Sequence, residues 1–319
     1  MAHGKSPKHT RKARKKAVSA AGAGGKKRSS KKSSMTRPQA RFSPPVARSV
    51  RVQKLLASAG FGSRREVEQY IVDQRVTVNG RVSKLGDSAD PGVDDIRLDG
   101  ERLLREKPSY WILNKPRGVV TTLRDDEGRK TVVNLLPKKI ERLFPVGRLD
   151  RETSGLLLMT NDGDTAHALL HPSLGNEREY RVHVKGRIDA KAVARLEKGV
   201  PLEDGRTSPG RVSAIRFDPD SGNSSFSLVL MEGRKRQIRR SLLILGFPVR
   251  RLVRVRMGPL RLGRLPVGQA RPLRAEERRA LLAHAAKLRD AGASSRKRPR
   301  TPKPRNVQRT ASSKNGVRK

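Results

Sequence analysis

The sequence contains no cysteine, which excludes disulfides, thiolate nucleophiles, iron–sulfur clusters and zinc sites built on cysteine. Aromatic residues make up only 3%, with one Trp and three Tyr, so there is no material for a platform on which several bases stack in a row. Acids are scarce as well: 30 Asp and Glu stand against 73 Lys and Arg, a net charge of +43 at pH 7. No apolar run approaches the roughly 20 residues that cross a bilayer, and the basic N-terminus is not followed by the apolar core of a secretory signal. A soluble, cytoplasmic protein is expected. Neither a phosphate-binding G-x-x-x-x-G-K-[ST] loop nor a strand-linked G-x-G-x-x-G is present, which leaves nucleotide hydrolysis and dinucleotide redox without support.

What is present is cationic charge, and on this scale it selects a polyanion as partner, because Lys and Arg release the counterions condensed on phosphate backbones. Nucleic acid is the first expectation and an anionic membrane surface the weaker one. Residues 1–50 hold 15 Lys and Arg without one acid, and residues 291–319 hold 10 without one. Both stretches lack an apolar face and are expected to be disordered basic arms, over 1–48 and 291–319. Taking the arms from the total still leaves +18 on residues 51–290, so the folded part is itself basic.

Residues 49–107 form a first expected unit. A short helix near Val52–Ala59 is followed by a GFGS break and a second helix beginning at Ser63, where Ser63 and Glu66 have the spacing of a capping box. The stretch RVTVNGRV alternates around Asn79-Gly80, the pair suited to a two-residue hairpin turn. Residues 108–290 form the second expected unit. Strand-like runs begin at Tyr110, Gly155, Glu179 and Phe226, and they alternate with helical patterns at Gly163–Leu170, Asp189–Lys198, Gln237–Leu245 and Ala275–Asp290. The fold class expected is α+β, a mixed and mainly antiparallel sheet flanked by helices.

Candidate chemistry centres on GRLDRETSGLLLMTNDG, residues 147–163, which sets Asp150 at the mouth of a buried strand between Arg148 and Arg151. The two arginines are expected to keep Asp150 ionised at neutral pH, and an ionised, positioned carboxylate can act as nucleophile or base. An Asp that merely fixes a turn is the alternative. His167 and His171 are spaced to share a ligand, yet no third ligand is in view, and no metal is expected. Asp125 and Asp126 fit an exposed loop.

Two resemblances extend this reading. VRVQKLLASAGFGSRREVEQYIVDQRVTVNGRVSKLGD resembles the S4 RNA-binding domain, which implies that Lys54, Arg64 and Arg65 present charge to RNA phosphates. GRLDRETSGLLLMTNDG, together with NKPRGVVTT, LHPSLGNEREYRVHV and EGRKRQIRRSLLILGFPVRRLVRVRMGPL, resembles the RsuA/RluB family of ribosomal RNA pseudouridine synthases, over about residues 50–275. Within that family the chain looks closest to the type that acts on large-subunit 23S rRNA rather than 16S rRNA, free or in a pre-ribosomal particle. The resemblance implies a catalytic Asp150, a Tyr180 that stacks on the target uracil, an Arg239 that partners the aspartate, and a Leu252 that lines the uracil pocket, with Arg148 on the substrate. Ser241 departs from the pattern, since an apolar residue often follows RQIRR. Such an isomerisation needs no cofactor, and a monomer is the default. Arg239 is expected to hold the carboxylate by a charge-assisted contact, although Arg236, Arg239 and Arg240 share a face at helical spacing and some can serve phosphates instead.

Overall fold

The computed structural model describes residues 49–104, 106–137 and 142–296. The proposed basic arm at 1–48 lies outside them, as does most of the tail. Within the described residues no helix is long and apolar enough to cross a membrane.

The N-terminal part has its own core. Helices α1 (Val52–Ser58) and α2 (Arg64–Val72) pack Leu55, Leu56, Val67 and Ile71 against a small antiparallel sheet of β1 (Val76–Val78), β2 (Arg81–Val82), β3 (Ile96–Leu98) and β4 (Glu101–Arg102), in the order β2-β1-β3-β4. The start of α2 is fixed as its sequence dictates. Ser63 Oγ accepts from the Glu66 amide at 3.2 Å, and Glu66 Oε2 accepts from the Ser63 amide at 2.6 Å. Asn79 and Gly80 both have positive φ, +51° and +76°, as the hairpin turn requires.

The remainder is built on one nine-stranded sheet. Its principal strands are β5 (Tyr110–Lys115), β6 (Ser154–Thr160), β7 (Arg178–Lys185), β8 (Arg211–Asp218), β9 (Asn223–Leu230), β10 (Val249–Met257) and β11 (Ala270–Pro272). They lie in the order β8-β9-β7-β10-β6-β5-β11, with Leu260–Arg261 paired to β10 and Phe144–Pro145 paired to β6. Every pairing is antiparallel except β10 with β6, which joins the two halves. On one half α4 (Ala190–Lys198) and α5 (Gln237–Ile244) cover Val182, Val184, Phe226, Leu228 and Leu252. On the other, α3 (Gly163–Leu170) and α6 (Ala275–Arg296) cover Ile112, Leu156 and Leu158. Strand β6 is buried throughout, which accounts for its unbroken apolar sequence. The architecture is α+β, as the alternation of elements indicated.

Helix α6 runs past the expected boundary at residue 290 as far as Arg296. The small residues after Asp290 suit a helix end packed closely on its neighbour: a Cβ at Gly292 would collide with Leu174.

The parallel junction depends on Gly155. It has φ +106°, and a Cβ there would lie 2.7 Å from the Arg254 amide nitrogen and closer still to the Arg254 carbonyl oxygen. Gly155→Ala therefore forces the central strands apart in addition to straining the backbone, and a loss of about 3 kcal/mol or more is expected in urea unfolding. A loss below about 1 kcal/mol would contradict this packing.

Candidate active site

Asp150 occupies the turn that feeds β6, and this turn is tied down from two sides. Thr121 Oγ1 donates to the Leu149 carbonyl at 2.8 Å, and the Gly118 amide donates to the Arg151 carbonyl at 2.8 Å. From beneath, the fully buried Lys115 reaches four carbonyls: Pro116 at 3.0 Å, Asp150 at 3.2 Å, Arg151 at 3.5 Å and Thr153 at 3.0 Å. An ammonium with three donors acts here as a hub that converts irregular backbone into a fixed shape. Burial pushes its pKa down to about 8, opposed by the carboxylates of Asp150 and Glu152.

The acids at the two ends of β6 have different fates. Glu152 pairs with Arg117 at 2.9 Å. Asp162 caps α3, accepting from the Asp164 and Thr165 amides at 3.0 and 3.1 Å, and takes the Tyr110 hydroxyl at 2.6 Å. The half-buried Asp150 carboxylate has no hydrogen bond or ion pair among the described residues, so it does not serve a turn through its side chain. It faces a cleft of about 800 Å³.

Tyr180 from β7, Leu252 from β10, Arg239 from α5 and Arg148 line the same cleft. Tyr180 packs where two cores meet. The other tyrosines are engaged elsewhere: Tyr110 binds Asp162, and Tyr70 packs on the N-terminal core with Arg75 4.6 Å from its ring centroid.

Arg239 differs from the expectation of a direct contact. Its Nη2 donates to the Glu152 carbonyl at 2.9 Å and its Nη1 to the Val249 carbonyl at 3.4 Å, with no ion pair to Asp150 among the described residues. The guanidinium fork is taken up by backbone oxygens, so it braces the turn and reaches Asp150 through its field. Burial and the nearby Arg236 disfavour its charged form, and the Asp150 and Glu152 carboxylates offset them. The Arg239 Nε is buried and has no hydrogen-bond partner among the described residues. Arg148 and Arg151 are exposed and likewise form no ion pair with Asp150 among the described residues, while the Asp150 carboxylate favours the charged forms of Lys115 and Arg239. The sequence marks Lys115 only as part of NKPRGVVTT, since all its partners but the Pro116 carbonyl are carbonyls far along the chain.

The basic run before and into α5 is also sorted by the fold. Arg236 precedes the helix with φ +50°, so it does not share a helical face with Arg239 and Arg240. Arg240 pairs with Asp204 at 3.0 Å. Arg234 binds the carbonyls of Asp204, Gly205 and Arg206. Lys235 and Arg236 are left exposed on the cleft, available for phosphates. Ser241, the departure from the family pattern, is buried within a regular α5.

Arg64 and Arg65 are exposed at the start of α2, whereas Lys54 is not free. It forms an ion pair with Asp164 of α3, one of the contacts that join α1 and α2 to the large sheet. Arg142 adds bonds to the Gly60 carbonyl at 2.9 Å and to Glu66 at 3.1 Å. Lys54→Ala is accordingly expected to weaken RNA binding by less than about twofold, and the Arg64→Ala, Arg65→Ala double variant by about fivefold or more. Filter binding at low salt tests the order, and the reverse order would contradict it. Elsewhere, Asp125 accepts from the Arg129 amide and guanidinium in a surface loop. The rings of His167 and His171 lie 5.3 Å apart, and the described residues include no group of three or more His, Cys, Asp or Glu side chains able to hold a metal.

Against this geometry, residues 109–243 match the RNA pseudouridylate synthase family and residues 50–94 match the S4 domain. A Bacillus subtilis (strain 168) protein named ribosomal large subunit pseudouridine synthase B is 40% identical over 228 residues, covering 71% of this chain and 93% of that protein. The chain belongs to the RNA pseudouridylate synthase family. An Aquifex aeolicus (strain VF5) RNA pseudouridine synthase is 41% identical over 226 residues, covering 70% of this chain and 90% of that one. A solved structure described as a pseudouridylate synthase aligns with TM-score 0.52 and 28% identity, over 73% of this chain and 99% of the other. The synthase is thus an isomerase that carries an S4 domain ahead of its large sheet.

Proposed function

We propose that this synthase converts a specific uridine of large-subunit ribosomal RNA to pseudouridine, with Asp150 as the catalytic carboxylate acting on a uridine flipped out of its stack. The observation that carries this reading is the convergence of Asp150, Tyr180, Arg239 and Leu252, spread over about 100 residues of sequence, on one cleft. In the reaction the N1–C1′ bond breaks, the base turns, C5 bonds to C1′, and the C5 proton leaves as N1 gains one. All heavy atoms of the product come from the substrate, and only a proton is exchanged with the surroundings. Asp150 either attacks C1′, as in retaining glycosidases, or removes the 2′ proton to give a glycal; both need its ionised form.

Tyr180 stacks on the uracil and Leu252 closes the base pocket, so a single ring holds a single flipped base at an unstacking cost of a few kcal/mol. Arg239 positions the turn that bears Asp150. Arg148, with Lys235 and Arg236 at the cleft mouth and Arg64 and Arg65 on the S4 domain, takes the phosphates that offset that cost. Residues 49–107 act as the RNA-binding module and 108–290 as the catalytic one, in a cytoplasmic monomer. The name of the Bacillus subtilis relative supports the large subunit as the source of the substrate. Carbodiimide treatment and reverse transcription of both rRNAs, from a deletion strain and its parent, test this. Loss of one stop in 23S rRNA is expected; loss of a 16S stop, or of none, would contradict it.

A further inference from the structure

The half of the sheet formed by β8, β9, β7 and β10 has a second face, opposite α4 and α5. Tyr180, Val182 and Val184 point into the core beneath those helices, together with Leu228, Phe226 and Leu252. Alternation along the strands turns Arg181, His183 and Lys185 the other way. The register then sets Arg251 beside His183, Ser225 on its other flank and Arg216 beyond that. In the next row stand Val253, Arg181, Ser227 and Ser213. Each row crosses four strands, about 14 Å at roughly 4.8 Å per strand.

Arg181, Lys185, Arg216 and Arg251 are exposed, and none has an ion pair among the described residues. Asp218 lies across Asn223 from Lys185 and accepts from Ser221 and the Asp220 amide, and Glu179, two residues from Arg181 on the same face, is taken by Arg256. The other end of the same face is different. There Arg256 pairs with Glu177 and Glu179, each at 2.9 Å, and Arg211 pairs with Glu177 at 3.4 Å. Like charges on neighbouring strands destabilise a sheet, and this fold neutralises them at one end while leaving them bare at the other. Burial first, and then Arg251 and Arg181, hold the His183 imidazole below its ordinary range.

We propose that this arginine- and serine-lined back face is a second RNA-contacting surface, which grips backbone phosphates of the substrate RNA outside the segment held in the cleft. Rich in cations and hydroxyls and without a Phe, Tyr or Trp in these rows, it is suited to phosphates rather than base edges, so it adds affinity and orientation without reading sequence. The proposal rests on RNA being the substrate, as inferred above.

The test uses the full chain with Arg181→Gln, Arg216→Gln and Arg251→Gln combined, and two RNAs: a full-length large-subunit transcript and a short hairpin around the modified uridine. On the long RNA, affinity is expected to fall about tenfold at low salt. The slope of log K against log salt is expected to shrink by about 2, because roughly three phosphates are no longer neutralised. On the hairpin, affinity and single-turnover rate should be unchanged. Lysine at the three positions should retain the slope, and Arg75→Gln, which removes an exposed arginine paired with Asp99, should leave it intact. An unchanged slope on the long RNA would overturn the proposal, including the case in which the face instead captures an acidic protein. So would an equal loss from Arg75→Gln. Should the wild-type chain form no pseudouridine on any RNA, the catalytic reading fails, while the slopes still decide whether this face binds.

Discussion

Asp150→Asn is expected to lower the single-turnover rate of pseudouridine formation by on the order of 10⁴-fold or more, while RNA affinity stays within about twofold of wild type. The two halves of this expectation have separate causes. The carboxylate makes no hydrogen bond or ion pair with the described residues, and the turn is held through the backbone by Lys115, Thr121 and Gly118. Replacing one oxygen by an amide therefore leaves no orphaned partner and no cavity, and stability should change by no more than about 0.5 kcal/mol. On the proposed reading RNA capture rests on Lys235, Arg236, Arg64 and Arg65, which the substitution does not touch. The bond changes at C1′ need the anion itself, which an amide cannot replace. A rate within tenfold of wild type would mean that another group does the chemistry.

Lys115→Met is the second large effect expected, a loss of about 10²-fold in kcat with little change in KM. Methionine fills the same volume but donates nothing to the four carbonyls that Lys115 now serves, so Asp150 loses its placement while the phosphate-binding cations remain. A kcat within threefold of wild type would contradict the role of this side chain as the hub of the turn. The wild-type enzyme should also report Lys115 through pH. Burial brings this group to about 8 from an ordinary 10.5, so between those values the unfolded chain holds a proton that the folded chain has released. The contribution of Lys115 to folding stability therefore rises with pH across that window. The rate should move the opposite way, because the neutral amine has two donors in place of three and no longer adds positive field at Asp150. An alkaline limb in kcat near pH 8 is expected, and a flat profile through pH 9 would count against it.

The parts of the fold legible in the sequence are those set by local chemistry. The Ser63–Glu66 box and the Asn79-Gly80 turn each act within four residues, and β6 declares itself because a strand buried on both faces has no polar alternation. Strands β8 and β10 are harder to read. Arginines interrupt the apolar residues of both, and the buried Arg254 of β10 donates its Nε to the Leu156 carbonyl on the adjacent strand, at 2.8 Å. The site divides in the same way. Asp150, Tyr180, Leu252 and Arg239 could be named from motifs, and one cleft contains them all. Their mutual contacts could not be named, because the reach of Arg239 is taken by carbonyls of Glu152 and Val249, and because Lys54 meets an acid more than 100 residues away. Such pairings are decided by tertiary geometry, which neither spacing nor composition encodes.

The central claim, that the Asp150 carboxylate drives exchange at the base of one uridine, is tested most directly with large-subunit rRNA labelled with tritium at uridine C5. Joining C5 to the sugar displaces that hydrogen into water. Wild-type enzyme should release one equivalent of tritium per target site and Asp150→Asn none above background; release by Asp150→Asn at the wild-type rate would contradict the claim.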